Sequence, residues 1–196
     1  MSISPILGHA KHVFGRRPIT VLEIGARYGE SSKLIINNFI VEKYIIVDPY
    51  TGYDDYKTDG FNQIISNDES IYSKVQSELN SIHRNVIFHR RFSNDIEVLN
   101  NIPDKSVDFI FIDGNHTYNY VLQDLENYYP KLTENGILCG DDFFMRTYEN
   151  DILKSGSGYD EPMVYEAVVD FCKAHNKTYS EFGEHRSYGK VYMINN

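Results

Sequence analysis

The chain has 196 residues, is 41% hydrophobic and carries a formal net charge of −9. That length suits one domain with a real core and is short for two. No apolar run is long enough to cross a bilayer and no secretory leader opens the chain, so a cytoplasmic protein without membrane contact is expected. The excess of 28 Asp and Glu over 19 Lys and Arg disfavours a nucleic-acid partner, whose phosphates need a basic surface, and leaves room for a metal ion or a cationic ligand.

In chain order, residues 3–14 read as a short helix, ended by Gly15. Residues 19–24 are an apolar run and read as a buried strand. The chain then breaks at Gly25 and Gly29 and enters an amphipathic helix over 31–39. Residues 43–48 (KYIIVD) form a second strand, stopped by Pro49. The polar, Tyr- and Asp-rich stretch 50–67 is long for a connection, which suggests a functional loop. A helix over 68–83 has Ile71, Val75, Leu79 and Ile82 on one face. A strand over 85–89 and a short helix over 93–99 follow. Residues 107–113 (VDFIFID) are nearly all apolar, as a central parallel strand should be.

Next comes a helix over 117–129, with Val121, Leu122, Leu125, Tyr128 and Tyr129 facing inward, and a fifth strand over 136–140. Residues 143–160 are irregular. Pro162 starts a helix whose apolar face is Met163, Val164, Ala167, Val168, Phe171 and Cys172. Residues 179–183 and 190–195 alternate and read as two antiparallel strands joined around Gly189. Cys139 and Cys172 sit in apolar surroundings without metal-type spacing, so they read as buried free thiols. No repeat or linker is visible, so residues 1–196 are expected to form a single domain. Strands alternating with helices predict an α/β fold: a Rossmann-like, doubly wound, mostly parallel sheet of seven strands with a C-terminal antiparallel hairpin.

Such sheets bind ligands beyond the carboxyl ends of their strands. Polar residues collect there: Gly25 and Gly29 after the first strand, Asp48 after the second, Ser93 after the third, Asp113 and His116 after the fourth, Asp141 and Asp142 after the fifth. Gly25 would let the backbone approach a ligand, and Gly29 would open a helix whose free N–H groups favour an anion. The spacing E-x-G-x-x-x-G is not the dinucleotide fingerprint. Asp48 can accept two hydrogen bonds from a ribose diol, or it can cap the turn before Pro49. Asp113, Asp141 and Asp142 at neighbouring strand ends would repel one another unless a cation such as Mg²⁺ joined them. His116 lies beside them as a candidate base, or as a plain helix N-terminal residue.

Together these residues resemble class I S-adenosylmethionine-dependent methyltransferases. More narrowly they are similar to the metal-dependent O-methyltransferases of sugars and macrolides, with the catechol type as a cousin. The matching pieces are LEIGARYGESS, YIIVDPY, RRFSNDI, FIFIDGNHTYNYVLQDLENYYPKLTENGILCGDDF and KVYMIN, so the likeness runs over 21–194. It implies that Glu23 holds the methionine amino group, that Gly25, Gly29 and Ser31 lie against the methionine end, that Asp48 takes the ribose hydroxyls and that Ser93 meets the adenine edge. It also implies that Asp113, Asp141 and Asp142 bind Mg²⁺, that Asp113 borders the cofactor as well, and that Asp113 and His116 serve catalysis. In the catechol type a lysine stands where His116 is, and Asn where Asp142 is. The implied activity is Mg²⁺-dependent methylation of a small-molecule hydroxyl, on a sugar or glycosylated natural product. The stretches 50–67 and 143–160 would cover the acceptor, with Tyr53 and Tyr56 free to stack on a sugar. A non-catalytic S-adenosylmethionine-binding module is the alternative, and a homo-oligomer is left open.

Overall fold

The computed structural model describes residues 3–51, 69–143, 164–183 and 190–195. The expected loops over 50–67 and 143–160, with Tyr53 and Tyr56, fall almost wholly outside these residues, as do Pro162, Met163 and Gly189. Strand β1 (Ile19–Ile24) is the axis. It pairs in parallel with β2 (Val41–Val47) on one side and β4 (Val107–Ile112) on the other. Strand β3 (Val86–His89) lies outside β2, and β5 (Leu132–Gly140) outside β4, both parallel. The last two strands, β6 (Thr178–Phe182) and β7 (Val191–Asn195), pair antiparallel as expected, and β7 inserts between β5 and β6. The sheet order is β3-β2-β1-β4-β5-β7-β6, seven strands in all.

The period-2 alternation of each strand divides its apolar side chains between two cores. Leu22, Ile24, Ile45, Val47, Ile110 and Ile112 face one side. There they meet α4 (Ile96–Asn101), α5 (Tyr118–Tyr128) and α6 (Val164–Ala174) through Val98, Val121, Leu125, Tyr128, Val168 and Phe171. Val21, Ile46, Phe109, Phe111 and Cys139 face the other side. They meet α1 (Ser4–Phe14), α2 (Glu30–Asn38) and α3 (Glu69–Ile82) through Ile6, Ala10, Phe14, Ile35, Val75 and Leu79. Two buried faces explain why β4 is apolar at nearly every position. Both cysteines are free and buried, as expected. Among the described residues no helix is long and apolar enough to cross a membrane.

Most boundaries move by a residue or two, and two of the larger differences have a physical reason. Strand β5 begins at Leu132 rather than Gly136. Its polar Thr133, Glu134 and Asn135 resemble a turn in sequence, but Leu132 pairs with Val107 across an irregularity in register. Helix α4 begins at Ile96 rather than Ser93, because the Asp95 side chain caps it by accepting from the Glu97 N–H at 2.8 Å. Ser93 therefore lies in a turn ahead of the helix.

Candidate functional site

Strand order reverses between β1 and β4, the switch point where a crevice opens in a doubly wound sheet. Gly25 sits there with φ +83°. A Cβ on it would fall on the Asp113 carbonyl, 2.6 Å from its carbon and 2.7 Å from Gly114 Cα. Its bareness is thus demanded by the β4–α5 turn pressing against the β1–α2 turn, whatever else approaches. Gly29, the residue ahead of α2, has φ +72° and would put a Cβ 3.0 Å from Val75 Cγ1 of α3.

Glu23 is fully buried at the end of β1. The Ser31 hydroxyl donates to one carboxylate oxygen, the Ser32 hydroxyl to the other, and Tyr44 OH donates to the second at 2.9 Å. Burial pushes its pKa up to about 7; the three hydroxyls pull it back, and the charge of Asp113 adds to the rise. Glu23 and Ser31 are therefore brought together as partners of each other, within the core beneath α2. Ser32 and Tyr44, absent from the sequence-based site, complete the cage.

Asp48 joins two turns. Its Oδ2 accepts from Arg27 N–H at 2.8 Å and its Oδ1 from Tyr50 N–H at 2.7 Å. Arg27 and Tyr50 both have φ near +50°, a strained setting for non-glycine residues that these bonds help to hold. Burial raises the pKa of Asp48, and the backbone bonds from Arg27, Tyr50 and Ala26 lower it. The turn-capping role and the diol-binding role are compatible, since a carboxylate has more acceptor sites than two.

At the ends of β4 and β5 the His116 ring stands between two carboxylates. Its Nε2 is 3.3 Å from Asp113 Oδ1 and its Nδ1 3.1 Å from Asp142 Oδ2. Asp142 has φ +51°, and its N–H donates to Asp141 Oδ1 at 2.8 Å. Burial raises Asp113 to about 6; His116 lowers it, and Asp141 and Asp142 raise it further. For His116, burial disfavours the imidazolium, but the bond to Asp113 and the charges of Asp113, Asp142 and Asp141 win, and the pKa rises. The three carboxylates are hard oxygen donors of the type that suits Mg²⁺. Their arrangement is another matter: among the described residues no three His, Cys, Asp or Glu side chains converge as a metal cage would. Within the chain, the group that the acidic cluster meets is the His116 imidazole.

Ser93 is buried, and its carbonyl accepts from Tyr128 OH at 2.7 Å. Below it lies Asp124 of α5, which the sequence reading passed over. Asp124 is 2% exposed, and burial raises its pKa to about 7, eased by the Ser93 side chain. Asp124 Oδ1, Asn115 Nδ2 and Tyr192 OH are buried without a hydrogen-bond partner among the described residues. The signal for Asp124 was its spacing: it stands at i+3 in the inward stripe Val121, Leu125, Tyr128, where an apolar residue is expected.

Residues 22–143, more than half of the chain, match the family model described as Methyltransferase domain. An uncharacterized protein of Acanthamoeba polyphaga mimivirus is 28% identical over 141 residues, covering 70% of this chain and 58% of that protein. The chain thus spans under two thirds of that relative. A crystal structure from Staphylococcus aureus, provisionally assigned as a caffeoyl-CoA O-methyltransferase, aligns with TM-score 0.64 at 16% identity, over 96% of this chain and 81% of that one. An O-methyltransferase from Bacillus cereus, in complex with SAH, aligns with TM-score 0.59 at 15% identity, over 97% of this chain and 78% of that one. At these identities the two structures share the fold.

Proposed function

This chain belongs to the methyltransferase-domain family, and on that premise we propose that it is an S-adenosylmethionine-dependent O-methyltransferase of small-molecule hydroxyls, on a sugar or glycosylated natural product. The observation that carries the reading is His116, part-exposed and set between Asp113 and Asp142 at the switch point. A histidine raised in pKa by carboxylates is placed to take a hydroxyl proton. The ring nitrogen now facing Asp142 would accept it, and Asp113 would hold the imidazolium so formed.

On the donor side, Asp48 would accept the ribose hydroxyls with the capacity its two backbone bonds leave. The Gly25–Gly29 turn would receive the methionine end, and Ser93 would border the adenine. Glu23, with Ser31, would set the shape of that turn from below and bear on the amino group as the resemblance implies. The donor, when bound, supplies a methyl already activated by its sulfonium, so the protein's task is alignment and exclusion of water.

We also propose that Asp113, Asp141 and Asp142 hold Mg²⁺. The support is the number and type of donors at adjacent strand ends; the reading asks His116 to yield one of its two carboxylates. A divalent ion there would lower the pKa of an acceptor hydroxyl.

The test is methyl transfer from labelled donor to a panel of sugars and catechols, with Mg²⁺ and with excess EDTA. Labelled product on a hydroxyl, lost in EDTA and restored by Mg²⁺, supports both parts. Full activity in EDTA removes the metal and leaves His116 as the base alone. Calorimetry with SAH and with NAD tests the donor; heat with NAD alone would overturn the assignment.

A further inference from the structure

The segment between β3 and α4 leaves the outer edge of the sheet and reaches α5. At its start Arg90 is paired with Glu69 of α3 at 2.6 Å and lies over the Tyr72 ring at 4.9 Å. At its far end α5 grips it at three points. Tyr128 OH donates to the Ser93 carbonyl at 2.7 Å, Asp124 meets the Ser93 side chain, and Gln123 accepts from Asn94 at 3.1 Å on the surface. Asp124 and Tyr128 are one helical turn apart, so a single buried face of α5 addresses the carbonyl and the hydroxyl of Ser93. Asp124 Oδ2 also lies 3.9 Å from where a Cβ on Gly114 would stand, and Gly114 in turn abuts Gly25. Asp124, Gly114 and Gly25 thus form a continuous path from the Ser93 turn to the switch point.

We infer that Asp124 and Tyr128 are a clamp that fixes the Ser93 turn as one wall of the donor crevice. Both are positioning residues, and the inference rests on the donor-binding reading above. A carboxylate on an otherwise apolar helix face is costly, and packing alone would be better served by Leu. What Asp124 supplies is a polar side-chain anchor for a turn whose own backbone bond runs from Asp95 N–H to the Phe92 carbonyl at 3.1 Å. An asparagine can supply the same anchor, being neutral, of equal shape and able both to donate and to accept.

The experiment is calorimetric titration of SAH and of adenosine into the full chain and the variants Tyr128→Phe, Asp124→Ala and Asp124→Asn. Tyr128→Phe deletes one oxygen and Asp124→Ala one anchor, so each should weaken both ligands about threefold to tenfold, the value of one hydrogen bond. Asp124→Asn should bind within about twofold of the parent protein. Hydrogen exchange at residues 92–95 should rise in Tyr128→Phe and not elsewhere. Parent-like binding in Tyr128→Phe and Asp124→Ala would remove the clamp while leaving the donor reading intact. An equal loss in Asp124→Asn would show that shape and hydrogen bonding are not what Asp124 contributes, and would also overturn it. If Asp124→Ala fails to fold, Tyr128→Phe decides. A parent protein that binds neither ligand overturns the donor reading and the clamp together.

Discussion

At the residue scale, the titratable side chains near the rim divide into those the fold consumes and those left open for chemistry. Glu23 is consumed. Its pKa of about 7 lies above the ordinary 4.5, so between about pH 4.5 and 7 the folded chain keeps a proton that the unfolded chain has lost. Stability from this group is therefore complete below that window, declines as pH rises through it and levels off above about pH 7. Glu23→Gln, neutral throughout, should remove that decline, worth on the order of 3 kcal/mol. Urea unfolding of parent and variant at pH 5 and pH 8 measures it; a parent-to-variant difference identical at both would contradict the cause. Asp48 serves twice. Asp48→Ala should destabilise the ligand-free chain by about 1–3 kcal/mol, since Arg27 N–H and Tyr50 N–H lose their acceptor, as well as weaken SAH. A residue that only bound ligand would show the second effect without the first. His116 is the open one. His116→Ala should depress turnover about 10²- to 10⁴-fold while SAH affinity holds.

At the element scale, the two glycines of the first turn differ in kind. Gly25 is boxed in by backbone, the Asp113 carbonyl and Gly114 Cα, which cannot step aside without moving β4. Gly29 meets the end of the Val75 side chain, which can rotate. Gly25→Ala should therefore cost about 3 kcal/mol or more, and Gly29→Ala nearer the 1–2 kcal/mol of a left-handed non-glycine residue. Thermal unfolding of the two variants side by side gives the order; the reverse order would mean that the turn, not the β4 contact, sets the demand. The glycine pattern was visible as a strand–turn–helix signal. Its physical reason was not, because the contact is with a residue 88 positions away in the chain.

At the scale of the whole molecule, a sheet that gathers Asp48, Ser93, Asp113 and Asp142 at one rim should be stabilised by any ligand bound there. SAH at a hundred times its dissociation constant should add about 2.7 kcal/mol to unfolding, read as a rise in melting temperature that Mg²⁺ alone need not produce. Absence of any shift at saturating SAH would count against the rim as a donor site.

The elements of this protein were written in its sequence, because each depends on neighbours within a few residues. The continuous apolar runs of β4 and β7 and the inward stripe of α5 are local patterns, and burial of one or two faces makes them strands and helices. The placement of Asp48, Asp113 and Asp142 just beyond strand ends, and of Ser93 in the turn that follows β3, followed from the same patterns, since a parallel sheet sends every carboxyl end to one rim. What those side chains touch was decided only in three dimensions. That Glu23 is caged by Ser31, Ser32 and Tyr44, that His116 takes the space between Asp113 and Asp142, and that Asp124 and Tyr128 hold Ser93 all depend on which strands became neighbours and on which face each side chain fell. Periodicity reports that a residue is buried; the partner that a buried polar group finds is a property of the packed chain.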